Sequence, residues 1–167
     1  IEARLSDALY SQLEGTERNI KIITVDEETL AEYGTFTEWS REKCAELINI
    51  LCADKEMAPT VIGMDFLFVS GADENMDQAL IEACGNAGNV VFASNMVYRG
   101  DTKQDEDGKI FYDAWNVEMV EEPFGGLNAV VADGFANVHI ATDGCVRYTK
   151  LTENFGTDTT DSFAYAI

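Results

Sequence analysis

Histidine is all but missing from this chain: His139 is the only one. Four cysteines are present, but no Cys-x-x-Cys pair occurs, so the ligand spacing of a Cys/His zinc site is lacking. A single imidazole in an alternating strand reads as a satisfied sheet histidine, and no Gly-x-Ser-x-Gly elbow or cysteine–histidine arrangement points to a nucleophile. Basic residues are scarce as well: 11 Lys and Arg stand against 31 Asp and Glu, a net charge of -20. Such a surface repels nucleic-acid phosphates and anionic headgroups, which argues against direct DNA or RNA binding and for an ordinary solvated exterior. Long apolar runs are also absent. Val61 to Met64 and Phe66 to Val69 are separated by Asp65, whereas a membrane helix takes about 20 apolar residues. No secretory leader pattern and no glycine-rich phosphate loop after an early strand can be found.

What is present suits a single domain of 167 residues, a size at which roughly 68–70% of the unfolded surface is buried and no staple is required. Cys44 and Cys52 fall in one helical pattern, about 12 Å apart along its axis, beyond the roughly 7 Å that a bridge tolerates. With Cys84 they occupy apolar helix faces, where free cysteine acts as a small hydrophobe.

The β-branched run Ile20 to Val25, closed by Asp26, reads as a strand buried on both faces, with Asp26 as the cap of a short following helix. Ser40 offers a second cap, ahead of Cys44, Leu47, Ile48, Leu51 and Cys52 at i, i+3, i+4, i+7, i+8 spacing. Pro59 breaks that helix, and Val61 to Asp65 restarts a strand. Met76, Ala79, Leu80, Ala83, Cys84 and Ala87 repeat the helical spacing, ended by Gly88 before the strand Val90 to Ser94. Later pieces, Met96 to Arg99, Lys109 to Tyr112, Phe135 to Ile140 and Val146 to Leu151, come with turns in place of helices, and Asp143-Gly144 marks a hairpin. The expected fold is α/β: a mixed, mainly parallel central sheet covered by helices, with antiparallel strands and a hairpin added in the C-terminal half. The sequence opens inside a helical pattern, Ile1 to Leu13, and closes in another, Phe163 to Ile167, which leads to the expectation of membrane segments on either side.

Asp26 and Asp65 end successive expected parallel strands, and open α/β sheets bind ligands beyond those carboxyl ends. Trp39 and Arg41 stand close in sequence, and a guanidinium there bridges two carboxylates or meets an anionic ligand. The competing structural reading makes Asp26 a helix cap and sets Arg41 against a buried Asp65. Arg147 pairs with Asp143 or with another acid across the sheet. These six residues, Asp26, Trp39, Arg41, Asp65, Asp143 and Arg147, are the candidate ligand-binding set; no catalytic residue, metal site or cofactor is expected. The acidic loop Gly100 to Gly108 fails as a calcium loop, since Lys103 and Ala114 fall where carboxylates belong. An enzymatic alternative is a metal-dependent phosphohydrolase of the haloacid dehalogenase type using Asp26, although Glu28 and Leu30 depart from that family's pattern.

In order and spacing, nearly the whole chain resembles the CHASE domain of type 2, an extracellular sensory module. The resemblance rests on Asp7 and Tyr10, on Ile22 to Glu27 with Leu30 and Gly34, on Trp39-Ser40-Arg41, and on Val61 to Asp65 with Phe68. It continues through Asp77, Ala79, Leu80 and Ala87 to Val91, then Gly134 to Val138, Asp143-Gly144, Val146-Arg147, Leu151 and Ser162 to Ala164. Glu38 and Ser40 depart from the family's Trp-Pro-Trp-Pro-Arg run. The resemblance implies one sensor domain over residues 1–167, on the extracytoplasmic side of the cell membrane and tethered by flanking helices. It also implies a homodimeric receptor that couples a small-molecule or ionic signal to a cyclase, histidine kinase or diguanylate cyclase.

Overall fold

The structure, a computed structural model, describes residues 19–104, 106–140 and 144–167. The chain divides into two compact units, Ile1–Phe36 and Thr37–Ile167. The expected opening helix, Ile1 to Leu13, lies outside the described residues.

In the first unit the expected strand is not a strand. Residues 20–26 form no ladder, and Ile20, Ile22 and Ile23 are 64%, 83% and 62% exposed. β-branched residues favour strands only when a neighbouring strand and a packed face receive them, and among the described residues this run has neither. Asp26 does cap a helix, α1 (Glu27–Tyr33), by accepting at Oδ1 from the Thr29 N–H at 2.9 Å and the Thr29 hydroxyl at 2.7 Å. Gly34 ends that helix at φ 85°, a conformation costly for any residue with a Cβ.

All but the first residue of α2 (Phe36–Leu51) belongs to the second unit, and its buried residues Cys44, Ala45 and Ile48 keep the expected face. Ser40 is not its cap: the helix begins a turn earlier, and Ser40 sits inside it at 1% exposure, where a small side chain allows close packing. Strand β1 (Ile62–Met64) follows, then α3 (Glu74–Ala87), with the Asp73 carboxylate capping at the Asn75 and Met76 N–H groups and Gly88 closing in the left-handed region.

Two expected strands then merge into one. β2 runs from Val90 to Gln104 and changes partners along its length. Its first five residues lie between β1 and β4 (Ala132–Phe135), parallel to both, in registers Ile62↔Val90 and Val91↔Ala132. Val90 to Ser94 are buried at every position, as a central strand covered on both faces requires. Its remaining ten pair antiparallel with β3 (Ile110–Glu121), from Asn95↔Glu121 to Gln104↔Ile110, with register shifts at Val97/Tyr98 and Asp101/Thr102. The sheet is therefore mixed, as expected, with a three-stranded parallel part and a long antiparallel ribbon.

Between β3 and β4 lies the short helix α4 (Gly125–Asn128). The expected strand Phe135 to Ile140 is split: β4 ends at Phe135, and β5 (His139–Ile140) pairs antiparallel with β6 (Val146–Tyr148) in a separate hairpin whose turn includes Gly144 at φ 84°. His139 lies in this hairpin and is exposed. A second hairpin, β7 (Thr152–Phe155) with β8 (Asp158–Asp161), leads into α5 (Phe163–Ala166). Ile48, Leu80, Phe92 and Leu127 are fully buried, each contributing about 1.5–3 kcal/mol relative to exposure. Among the described residues no helix is long and apolar enough to cross a membrane.

Candidate functional site at the carboxyl ends of the parallel strands

Strands β1, β2 and β4 share a direction, so their carboxyl ends bring Asp65, Asn95 and Asn137 to one edge of the sheet, the edge where open α/β sheets receive ligands. Asp65 is exposed, directly after β1. The Phe66 N–H bonds back to the Met64 carbonyl at 2.8 Å and turns the chain, and the Phe66 and Phe68 rings then stack with centroids 6.1 Å apart.

Arg41, projecting from α2, is occupied. It is 9% exposed, with its guanidinium carbon 4.7 Å from the Phe68 ring centre and 5.6 Å from that of Phe124. Nη2 donates to the Ser70 carbonyl at 2.5 Å, and Nε lies 2.5 Å from Asp77 Oδ1 on α3. The other Asp77 oxygen accepts from the Ala72 N–H at 2.7 Å. The carboxylate that neutralises Arg41 is thus Asp77 and not Asp65, because Asp77 stands on the inward side of α3 while Asp65 faces solvent. Asp77 belonged to the resemblance, but nothing in the sequence set it apart from Glu74 as an ordinary acid in a first helical turn.

A second polar cluster was invisible in the sequence. Where β4 ends, the Asn137 side chain continues its place beside β2: Oδ1 accepts from the Met96 N–H at 2.7 Å, and Nδ2 donates to the Met96 carbonyl and to Asn95 Oδ1, each at 3.0 Å. Asn95 Nδ2 in turn donates to Glu121 Oε2 of β3 at 2.8 Å. Further along the ribbon, the Tyr98 hydroxyl donates to Glu153 Oε2 of β7 at 3.3 Å, and the Lys150 ammonium makes a short contact with the same oxygen. Partial burial pushes the Glu153 carboxyl up, but Lys150, the Asn154 N–H and Tyr98 outweigh it and leave the group below its ordinary value.

The other expected residues are dispersed. Trp39 is half-buried on α2, Arg147 is half-buried in β6, and Asp143 lies outside the described residues. Asp26 belongs to the first unit; its bonds to Thr29 hold its carboxyl below the usual range, in keeping with a cap. A shallow, open hollow of about 650 Å³, lined by Glu42, Ala45, Glu46, Asn49 and Ile50 of α2 and Ala79 of α3, includes none of the six. Among the described residues no three of His, Cys, Asp and Glu gather as metal ligands.

Cys44, Cys52 and Cys84 are free thiols. Burial pushes Cys44 up to about 11 and Cys84 up to about 12, while Cys145 is exposed. Since the thiolate is the nucleophile, a maleimide at pH 7.5 is expected to label Cys145 at least about 100-fold faster than Cys44 or Cys84, as read by peptide mass spectrometry. Comparable rates at all three would show that the α2–α3 packing is wrong.

These placements define a mixed α/β module whose buried polar side chains join helices and strands to one another. The chain belongs to the CHASE2 domain family, whose model matches residues 1–167, the whole chain. CHASE2 domains are extracellular sensory modules of cyclase and kinase receptors and are not catalytic. No curated protein and no solved structure matches the chain.

Proposed function

We propose that residues 1–167 act as one extracytoplasmic sensory domain of a membrane receptor. The receptor works as a homodimer and couples a small-molecule or ionic signal to a cytoplasmic cyclase, kinase or diguanylate cyclase output. The observation that carries this reading is the end-to-end match of the CHASE2 family model. The ligand face is assigned to the carboxyl ends of β1, β2 and β4, with the exposed Asp65 as its charged contact, and Trp39 on α2 is kept as a further candidate. Arg41 is given a supporting rather than a ligand-contacting role, because Asp77 already neutralises it. Asp26, Asp143 and Arg147 stay in the candidate set for substitution. A ligand that binds only the folded state stabilises it by about 2.7 kcal/mol at 100 times its Kd, which raises Tm by roughly 5–10 °C in a chain of this size.

The test is a thermal-shift screen of small metabolites and ions against the wild-type chain and Asp65→Ala. Asp65→Ala is expected to keep the unliganded Tm within about 2 °C, as exposed positions do, and to lose the shift. A shift that persists in Asp65→Ala sinks the assignment of the face. A full reading frame that encodes a free cytosolic protein, with no hydrophobic spans and no output domain, sinks the receptor role.

A further inference from the structure

The point at which β2 changes partners is bridged by a side chain. The parallel ladder to β4 stops at Ser94↔Phe135, with a last backbone bond from the Ala136 N–H to the Ser94 carbonyl at 2.9 Å. The antiparallel ladder to β3 starts one residue later, at Asn95↔Glu121. Met96 is 2% exposed, so its peptide groups need protein partners. Asn137 supplies both, and its amide, with one acceptor and one donor in a plane, stands in for a residue of β4. The same amide reaches Asn95 and through it Glu121, so one chain of bonds crosses from the end of β4 over β2 to the end of β3. Just past this crossing, at Val97/Tyr98, the ribbon's register shifts, and such irregularities bend and twist a strand pair. From Asn95 to its end at Gln104, this part of β2 extends roughly 30 Å at the rise of an antiparallel strand. Asn137 also stands two residues before β5.

We propose that Asn137 is a positioning residue that couples the parallel sheet to the β2–β3 ribbon: its amide fixes the angle at which the ribbon leaves the sheet, and opening it frees the ribbon while the sheet stays intact. This goes beyond the sensory reading and stands on the geometry of the crossing alone, so it survives loss of the receptor role. A joint closed by one amide opens more readily than a backbone ladder, and it places a movable element at the edge of the sheet that carries Asp65. Tyr98 and Glu153 brace the ribbon farther out, which confines the effect to the residues nearest the crossing.

Hydrogen exchange read by mass spectrometry on the whole chain tests the proposal. In Asn137→Ala, amides of residues 96–98 and 119–121 are expected to exchange about tenfold faster, while those of residues 62–64 and 90–93 stay within about twofold of wild type. Uniform acceleration of both groups would make Asn137 a general stabiliser and overturn the coupling role, and unchanged exchange at the crossing overturns it equally. Should Asn137→Ala fail to fold, Asn95→Ala keeps the bonds to Met96 and cuts only the arm to Glu121. Faster exchange confined to residues 119–121 then supports the coupling, and none there refutes it.

Discussion

Replacing Arg41 with methionine is expected to lower the melting temperature by about 10 °C or more, as followed by circular dichroism. The reason is the carboxylate left behind. Asp77, with its side chain only 13% exposed, loses its countercharge, and a buried ion deprived of its partner costs about 3–5 kcal/mol. The Ser70 carbonyl loses its donor and the Phe68 and Phe124 rings lose the cation between them. Methionine keeps most of the volume, so packing changes little and the loss reports on charge. The double change Arg41→Met with Asp77→Leu removes both ions and is expected to recover most of the stability, since apolar replacement of a whole buried pair is often neutral. Arg41→Lys falls between, because an ammonium supplies charge without the planar fork that reaches both Ser70 and Asp77. A single variant that melts within about 2 °C of wild type would show that the pair is solvated and that Arg41 is available to a ligand after all.

The second large effect concerns Gly134. A Cβ at this position would lie 2.7 Å from the Phe163 backbone nitrogen, 2.8 Å from its Cα and 2.8 Å from the Ser162 carbonyl carbon. These are backbone atoms at the start of α5, next to the bridge between Phe135 and Ser162, so no rotamer relieves the overlap. Gly134→Ala is expected to cost about 3 kcal/mol, the upper part of the overpacking range, or to displace α5 from the sheet. Gly126→Ala is the matched control. Its new methyl would also meet an atom at 2.8 Å, but that atom is Ile81 Cδ1, the far end of a flexible side chain. It is expected to stay within about 1 kcal/mol of wild type in urea unfolding. Equal costs at the two positions would mean that α5 is not seated on β4 as described.

The helices were readable because their cause is local. In α2 and α3 the apolar residues recur at the helical period, and Asp73 and Gly88 end α3 with ordinary cap chemistry. The Asp26 cap was readable for the same reason. The strands were harder, because what makes a strand is a neighbour distant in sequence. Ile20 to Val25 has the composition of a central strand but finds no ladder, while Asn95 to Gln104, with Asn95, Arg99, Asp101 and Lys103 along it, looked like loop and strand fragments yet forms one long ribbon with β3. Asn137 divides what looked like one strand from Phe135 to Ile140, and it can do so only because Met96, 41 residues earlier, is folded beside it. The same limit hid the partner of Arg41. The choice between Asp65 and Asp77 depends on which acid faces inward, and no spacing rule reports that.

The uncovered isoleucines of residues 20–25 have a practical outcome for anyone handling this protein. Six consecutive residues rich in β-branched side chains, with no ladder partner among the described residues, are the kind of segment that stacks into intermolecular cross-β layers. What keeps copies apart at neutral pH is mutual repulsion from the -20 net charge. Acidification or concentrated salt removes that protection first, so turbidity in mildly acidic buffer should set in well before the helices melt, and should recede when Ile22 or Ile23 is replaced by lysine.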